Sequence, residues 1–163
     1  MKDNLKFFQA YIREMIEIGG VNLPKAISTK LGIKLAKIYK NRGLADNIES
    51  AIKQIYLDLN AKLKIKKIDN STLEIIVTHP RIIRKNFCLI GGKYDPSRAQ
   101  LFQKNICIPY IIGFLSEVAP DLQFEPTIKQ CIIEHDVRTC HYNLKIKKRN
   151  TSKEKPNILN VMV

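Results

Sequence analysis

Apolar residues recur at helical spacing through the first third of the chain. Over 4–18, Leu5, Phe8, Ile12, Met15 and Ile16 fall on one stripe, and Gly19-Gly20 ends the run. A second helix is predicted to start near Asn22, read as its N-cap with Pro24 in the first turn, and to close at Asn41-Arg42-Gly43. Leu23, Ile27, Leu31, Leu35 and Ile38 form its apolar stripe. The third helix has the plainest signature. Asp46 reads as its cap and Glu49 follows three residues on. Ile48, Ala51, Ile52, Ile55, Tyr56 and Leu59 then recur at a period near 3.6.

The period next falls to two. Leu63 and Ile65 alternate with lysines, Asp69-Asn70-Ser71 marks a turn, and Leu73, Ile75 and Val77 alternate again, which predicts a hairpin with one buried face. Pro80 ends it, and a short apolar strand over 87–90 leads into Gly91-Gly92. Asp95-Pro96 then predicts a helix start, with Asp95 as N-cap and Pro96 at the first helical position. The helix runs to about Val118 and is apolar on most sides. Pro109 inside it predicts a kink costing ~3 kcal/mol unless packing compensates. Strands over 122–133 and 137–147 close the pattern. The expectation is one α+β domain over 1–148, with an antiparallel sheet packed on helices, and a basic linker and apolar tail over 149–163.

Composition narrows the class. Of 163 residues, 45% are apolar and 26% charged, the balance of a globular domain. No apolar run reaches the ~20 residues that span a bilayer, and the start of the chain lacks a signal peptide's apolar region. A cytoplasmic protein with reduced cysteines is therefore expected. The charge, 28 basic against 15 acidic residues, favours an anionic partner. Its densest part is 145–155, net +5, where Lys145, Lys147, Lys148 and Arg149 are candidates to meet a membrane surface. The apolar end, 158–163, could add a strand to a sheet edge or fill a groove.

The chemistry-bearing residues are the four cysteines. If His135-Asp136 form a two-residue turn, Glu134 pairs with Val137, and counting outward sets Cys131 opposite Cys140. Both would face the Pro109 helix, which carries Cys107, while Cys88 lies on the strand before it. Four soft ligands from three elements suit tetrahedral zinc. Reduced, buried thiols or a cross-strand disulfide are the alternatives. The histidines His79, His135 and His141 read as hydrogen-bonded or solvated. No motif for a nucleophilic elbow, a phosphate-binding glycine loop or a zinc protease is present.

The order of elements resembles the 4-vinyl-reductase-type domain and the related core subunits of the TRAPP vesicle-tethering particle, over about residues 15–147. The resembling residues are Leu31-Gly32 with Leu35-Ala36, then 48–59, then Cys107 with Gly113-Phe114-Leu115, and Cys131 and Cys140 with Tyr142 and Leu144. The resemblance implies zinc ligands at Cys107, Cys131 and Cys140 with an acidic fourth. That position, near Ile128, is apolar here, which leaves Cys88 to supply the fourth ligand. It also implies a tunnel for an apolar molecule, for which Ile52, Ile55, Tyr56, Phe102, Tyr110 and Phe114 are candidate lining residues. In the TRAPP subunits a cysteine ahead of the third helix carries a fatty acyl chain. The matching Arg42-Gly43-Leu44 has none, so covalent acylation is not expected.

The function this implies is a non-enzymatic domain that binds a small apolar ligand or scaffolds partners. It would pair with a like domain, its own copy or another, and serve tethering or trafficking at a membrane periphery. The alternative is a nucleic-acid-binding regulator or sensor. The net charge supports it, but there is no helix-turn-helix and no aromatic platform of the RNA-binding kind.

Overall fold

Period-two alternation builds the sheet. In the computed structural model, which describes residues 10–11, 14–15, 17–57, 61–79, 87–88, 92–93, 95–135 and 137–149, β1 (Lys62–Asp69) and β2 (Thr72–Thr78) form the expected hairpin. Leu63 lies opposite Val77 and Ile65 opposite Ile75. Its turn is fixed locally, the Asp69 carboxylate accepting the Ser71 N–H at 2.6 Å. β2 pairs with β6 (Thr139–Lys148), and β6 with β5 (Leu122–Gln130), giving the antiparallel order β1-β2-β6-β5. Ile75, Val77, Tyr142, Leu144 and Phe124 point into the core. The opposite face carries ion pairs: Lys66–Glu74 at 3.3 Å and Lys147–Glu125 at 2.6 Å. Between β2 and the next helix, β3 (Phe87–Cys88) pairs with β4 (Gly92–Lys93) as a separate ribbon; residues 89–90 of the strand expected over 87–90 lie outside the described residues.

Three helical runs cover the apolar face. α1 spans Asn22–Asn41. Asn22 is its first helical residue rather than its cap, and no side chain caps the end. The run stops at Gly43, whose φ of +66° suits glycine and whose N–H bonds the Lys40 carbonyl at 2.9 Å. α2 spans Ile48–Leu57. Its cap is Asn47, not Asp46. Asn47 Oδ1 accepts the Ser50 N–H at 2.9 Å, and Ser50 Oγ accepts the Asn47 N–H at 3.0 Å. The reciprocal pair therefore uses a serine where Glu49 was expected to return. Leu59 lies outside the described residues, as do Leu5, Phe8, Ile12 and Ile16 of the first predicted helix. Met15, from that helix, packs on a second apolar cluster.

The long apolar run divides into α3 (Pro96–Phe102), a π-helical turn (Gln103–Cys107) and α4 (Ile108–Val118). Asp95 and Pro96 start it as expected. A π turn stands just ahead of Pro109, where the kink was predicted. Proline has no N–H to return to the carbonyl four residues back, and its ring would strike that carbonyl. Here the Ile108 N–H bonds the Gln103 carbonyl five residues back, so Pro109 sits in the first turn of a fresh α segment.

α1 crosses α4 through small residues. Ser28, Gly32 and Ala36 are buried, as is Pro24. The expected apolar stripe is turned outward: Leu23, Ile27, Leu31 and Ile38 are 39%, 38%, 47% and 44% exposed. Only Leu35 of that stripe packs against the core. Close backbone approach selects small residues, which pushes the large ones to the other side of the helix. Among the described residues no helix is long and apolar enough to cross a membrane.

Candidate functional site

Four elements bring the cysteines to one region. Cys88 ends β3, Cys107 ends the π turn, Cys131 follows β5 and Cys140 is the second residue of β6. Cys88 and Cys131 are each 7% exposed and share a cluster with Ala99, Phe102, Ile132 and Ile133, against which Cys140 packs. Glu134 and Val137, expected to pair across a two-residue turn, both lie outside the strands, and Asp136 of that turn lies outside the described residues. β5 ends at Gln130 and β6 begins at Thr139, and within the 131–138 connection the Cys131 carbonyl accepts the N–H groups of Glu134 and His135 at 3.1 and 3.0 Å. A bulge between Ile128 and Gln130 nevertheless brings Gln130 opposite His141. Cys131 and Cys140 are the next residues outward from that pair, and both border the same apolar cluster.

The two thiols are hydrogen-bonded to each other, and their acidities split. Cys140 donates its S–H to Cys131. That bond, with the Ile133 N–H and the Gln103 amide, outweighs burial and the nearby Glu134 charge and pulls the Cys131 thiol down to about 6. Cys140 is pushed well up by giving that bond, by burial and by Cys88 and Cys131. Burial, then Cys88 and Cys131, pushes Cys107 up as well. Cys131 is therefore the thiol that ionises first, held as an anion by three donors.

Gln103 and Glu134 complete the site, and the sequence reading had not singled them out. Gln103, 9% exposed, comes from the π turn, and its Nε2 donates to Glu134 Oε2 at 2.9 Å. Nothing in the sequence separates Gln103 from its polar neighbours Gln100, Lys104 and Asn105. His135 is exposed and its Nδ1 accepts the Cys131 backbone N–H at 3.2 Å. His141 points to the opposite face, as expected, with Nε2 3.1 Å from Glu74 Oε1. His79 differs from expectation. It is only 9% exposed, its Nδ1 has no hydrogen-bond partner among the described residues, and burial holds its pKa below the usual value.

All four cysteines are thiols outside any disulfide. Among the described residues, no group of three or more His, Cys, Asp or Glu side chains is arranged to hold an ion.

The six candidate tunnel residues divide. Ile52, Ile55 and Phe114 are buried in the main core, with Tyr56 and Tyr110 packed against it. Phe102 lies in the thiol cluster, with the Arg98 guanidinium 5.1 Å above its ring. A shallow cleft of about 530 Å³ is lined instead by Asp46, Asn47, Ile48, Glu49, Val118 and Ala119. Of the basic candidates, Lys145 and Lys148 are exposed and Lys147 is tied to Glu125. The Arg149 N–H bonds the Asp121 carbonyl at 2.8 Å. The tail over 150–163 lies outside the described residues.

A four-stranded antiparallel sheet under crossed helices defines an α+β class to which solved relatives can be matched. The chain is similar in structure to a trafficking protein particle complex subunit 3 from Naegleria fowleri, which is covalently bound to palmitic acid. The TM-score is 0.59 at 13% identity, covering 91% of this chain and 98% of that one. The two share a fold, in line with the resemblance to the TRAPP core subunits. No protein-family model and no curated protein sequence matches the chain.

Proposed function

We propose that this chain is a non-catalytic scaffolding subunit of the trafficking-particle kind, which assembles with a second domain of like fold through α1. The observation that carries the reading is the inverted helix. Leu23, Ile27, Leu31 and Ile38 lie within one quadrant at 3.6 residues per turn, and all four are exposed. Contiguous apolar surface of this kind marks an interaction site, and an apolar helix face is matched best by another. The shared fold supports the trafficking assignment, and the palmitate of the related subunit supports an apolar ligand. Lys145 and Lys148 would face an anionic membrane.

Light scattering of the full chain at tens of micromolar tests it. The expected mass is twice 18.8 kDa, falling to the monomer in Ile27→Glu/Leu31→Glu with an unchanged circular dichroism spectrum. A monomeric wild type overturns the assembly. Stable binding of duplex DNA or RNA near physiological salt would put the regulator reading in its place. Mass spectrometry of an organic extract tests the ligand: a stoichiometric acyl chain supports it, and an empty extract removes it.

A further inference from the structure

We propose that Cys131 and Cys140 are a dithiol pair that a hydroperoxide converts to a disulfide, closing the 131–138 connection across the ends of β5 and β6. This inference stands independently of the assembly through α1.

Three observations carry it. First, Gln130 and His141 form the last ladder pair, so Cys131 and Cys140 are the next residues outward along the two segments. Directly opposed residues hold their Cβ atoms ~4.5–5.5 Å apart, and a disulfide needs ~3.5–4.5 Å. Cys131 lies beyond the strand, so the connection rather than the ladder absorbs the closure. Second, Cys131 belongs to the buried cluster of Cys88, Ala99, Phe102, Ile132 and Ile133, and Cys140 packs against that same cluster. Third, the π turn brings the Gln103 amide to this connection, where its Nε2 donates to Glu134 Oε2 at 2.9 Å; hydrogen bonds from Cys140, the Ile133 N–H and Gln103 lower the Cys131 pKa in support. The other two thiols are near but differently placed. Cys107 ends a helical turn and Cys88 lies on a separate ribbon.

The chemistry balances. The Cys131 thiolate attacks the terminal oxygen of the hydroperoxide, the O–O bond breaks, and the leaving alkoxide takes a proton to become an alcohol. Cys131 is then a sulfenic acid. The Cys140 sulfur attacks that sulfur, the S–S bond forms, and hydroxide leaves with the Cys140 proton as water. Two thiols lose two electrons and two protons, and one hydroperoxide becomes one alcohol and one water.

The test uses the full chain, assayed for zinc and then treated with hydrogen peroxide, alkylated and digested with trypsin. Cleavage after Lys129, Arg138 and Lys145 separates the two cysteines onto different peptides. The expected result is loss of two of the four thiols and a 130–138 peptide linked to 139–145. Cys140→Ser should stop at a sulfenic acid on Cys131 that dimedone traps, and Cys131→Ser should give neither product. Linkage through Cys88 or Cys107, survival of all four thiols in excess peroxide, or bound zinc that protects them would each overturn the proposal.

Discussion

Gly32 of α1 lies against the backbone of α4 at Tyr110, Gly113 and Phe114, while Gly113 lies against the backbone of Thr29. A methyl group on either glycine would collide with a carbonyl oxygen of the other helix. This reciprocal contact brings the two axes together and leaves the larger apolar residues of α1 on its outer side.

Replacing either glycine should therefore loosen the fold, although alanine is the better helix former. The propensity gain is ~0.5–1 kcal/mol, whereas overpacking costs ~1–3 kcal/mol. Backbone cannot give way as a flexible side chain can, so overpacking wins. Gly113→Ala and Gly32→Ala are each expected to lower the melting temperature in differential scanning calorimetry, by roughly 2–4 °C per kcal/mol lost. An unchanged or higher value for both would show that the helices separate freely.

The sheet is tied to α2 by one polar bond in an apolar setting. The Tyr56 hydroxyl donates to the Tyr142 hydroxyl at 2.9 Å, and Tyr142 is 1% exposed. Burial drives both phenols above their usual pKa, so the bond stays neutral far into the alkaline range. Removing one hydroxyl strands the other, at ~1–3 kcal/mol, while removing both costs less than the two single changes together. Urea unfolding of Tyr56→Phe, Tyr142→Phe and the double variant should show this non-additivity. Strict additivity would mean that the hydroxyls do not depend on each other.

The sheet was largely legible because alternation records burial directly: Leu63, Ile65, Ile75 and Val77 lie on the face the pattern assigns them. The pairing of Gln130 with His141, which sets Cys131 and Cys140 next to each other in register, was legible by counting, although the connection was not. The register next to the connection depends only on which residues pair, and a longer connection with a bulge reproduces the count of a two-residue turn. Three features were hidden. The π turn adds a residue without disturbing a run that is apolar on most sides. The cap moved by one position because Asp46 and Asn47 are both competent acceptors. The stripe on α1 was visible as a period, but a period does not say what covers it, and Gly32 with Ala36 was the sign that the core lay on the other side. Gln103 was missed because its role depends on the π turn that aims it.

His79 should make stability depend on acidity. Its pKa is lowered by burial alone, so the folded state resists a proton that the unfolded chain accepts near pH 6.5. Stability is then full above that value and is lost as pH falls toward and through the lowered folded pKa. The stability of wild type relative to His79→Gln, from urea midpoints between pH 7.5 and 5, is expected to fall with pH. A constant difference would mean that the imidazole protonates as easily folded as unfolded.

Cys131 should react ahead of its three neighbours. An ordinary thiol is mostly protonated at pH 7, and its alkylation accelerates with pH up to about 8.5. The lowered pKa of Cys131 makes its rate nearly level from pH 7 upward, while the raised values of Cys107 and Cys140 keep those thiols slow. Gln103 sets part of that difference by donating to the sulfur. Gln103→Leu removes the donor at similar volume, so Cys131 should alkylate several-fold more slowly at pH 6.5 and nearly as before at pH 9. Peptide-resolved iodoacetamide labelling across that range measures both effects. If Gln103→Leu slows labelling equally at every pH, the glutamine controls access to the sulfur rather than its ionisation.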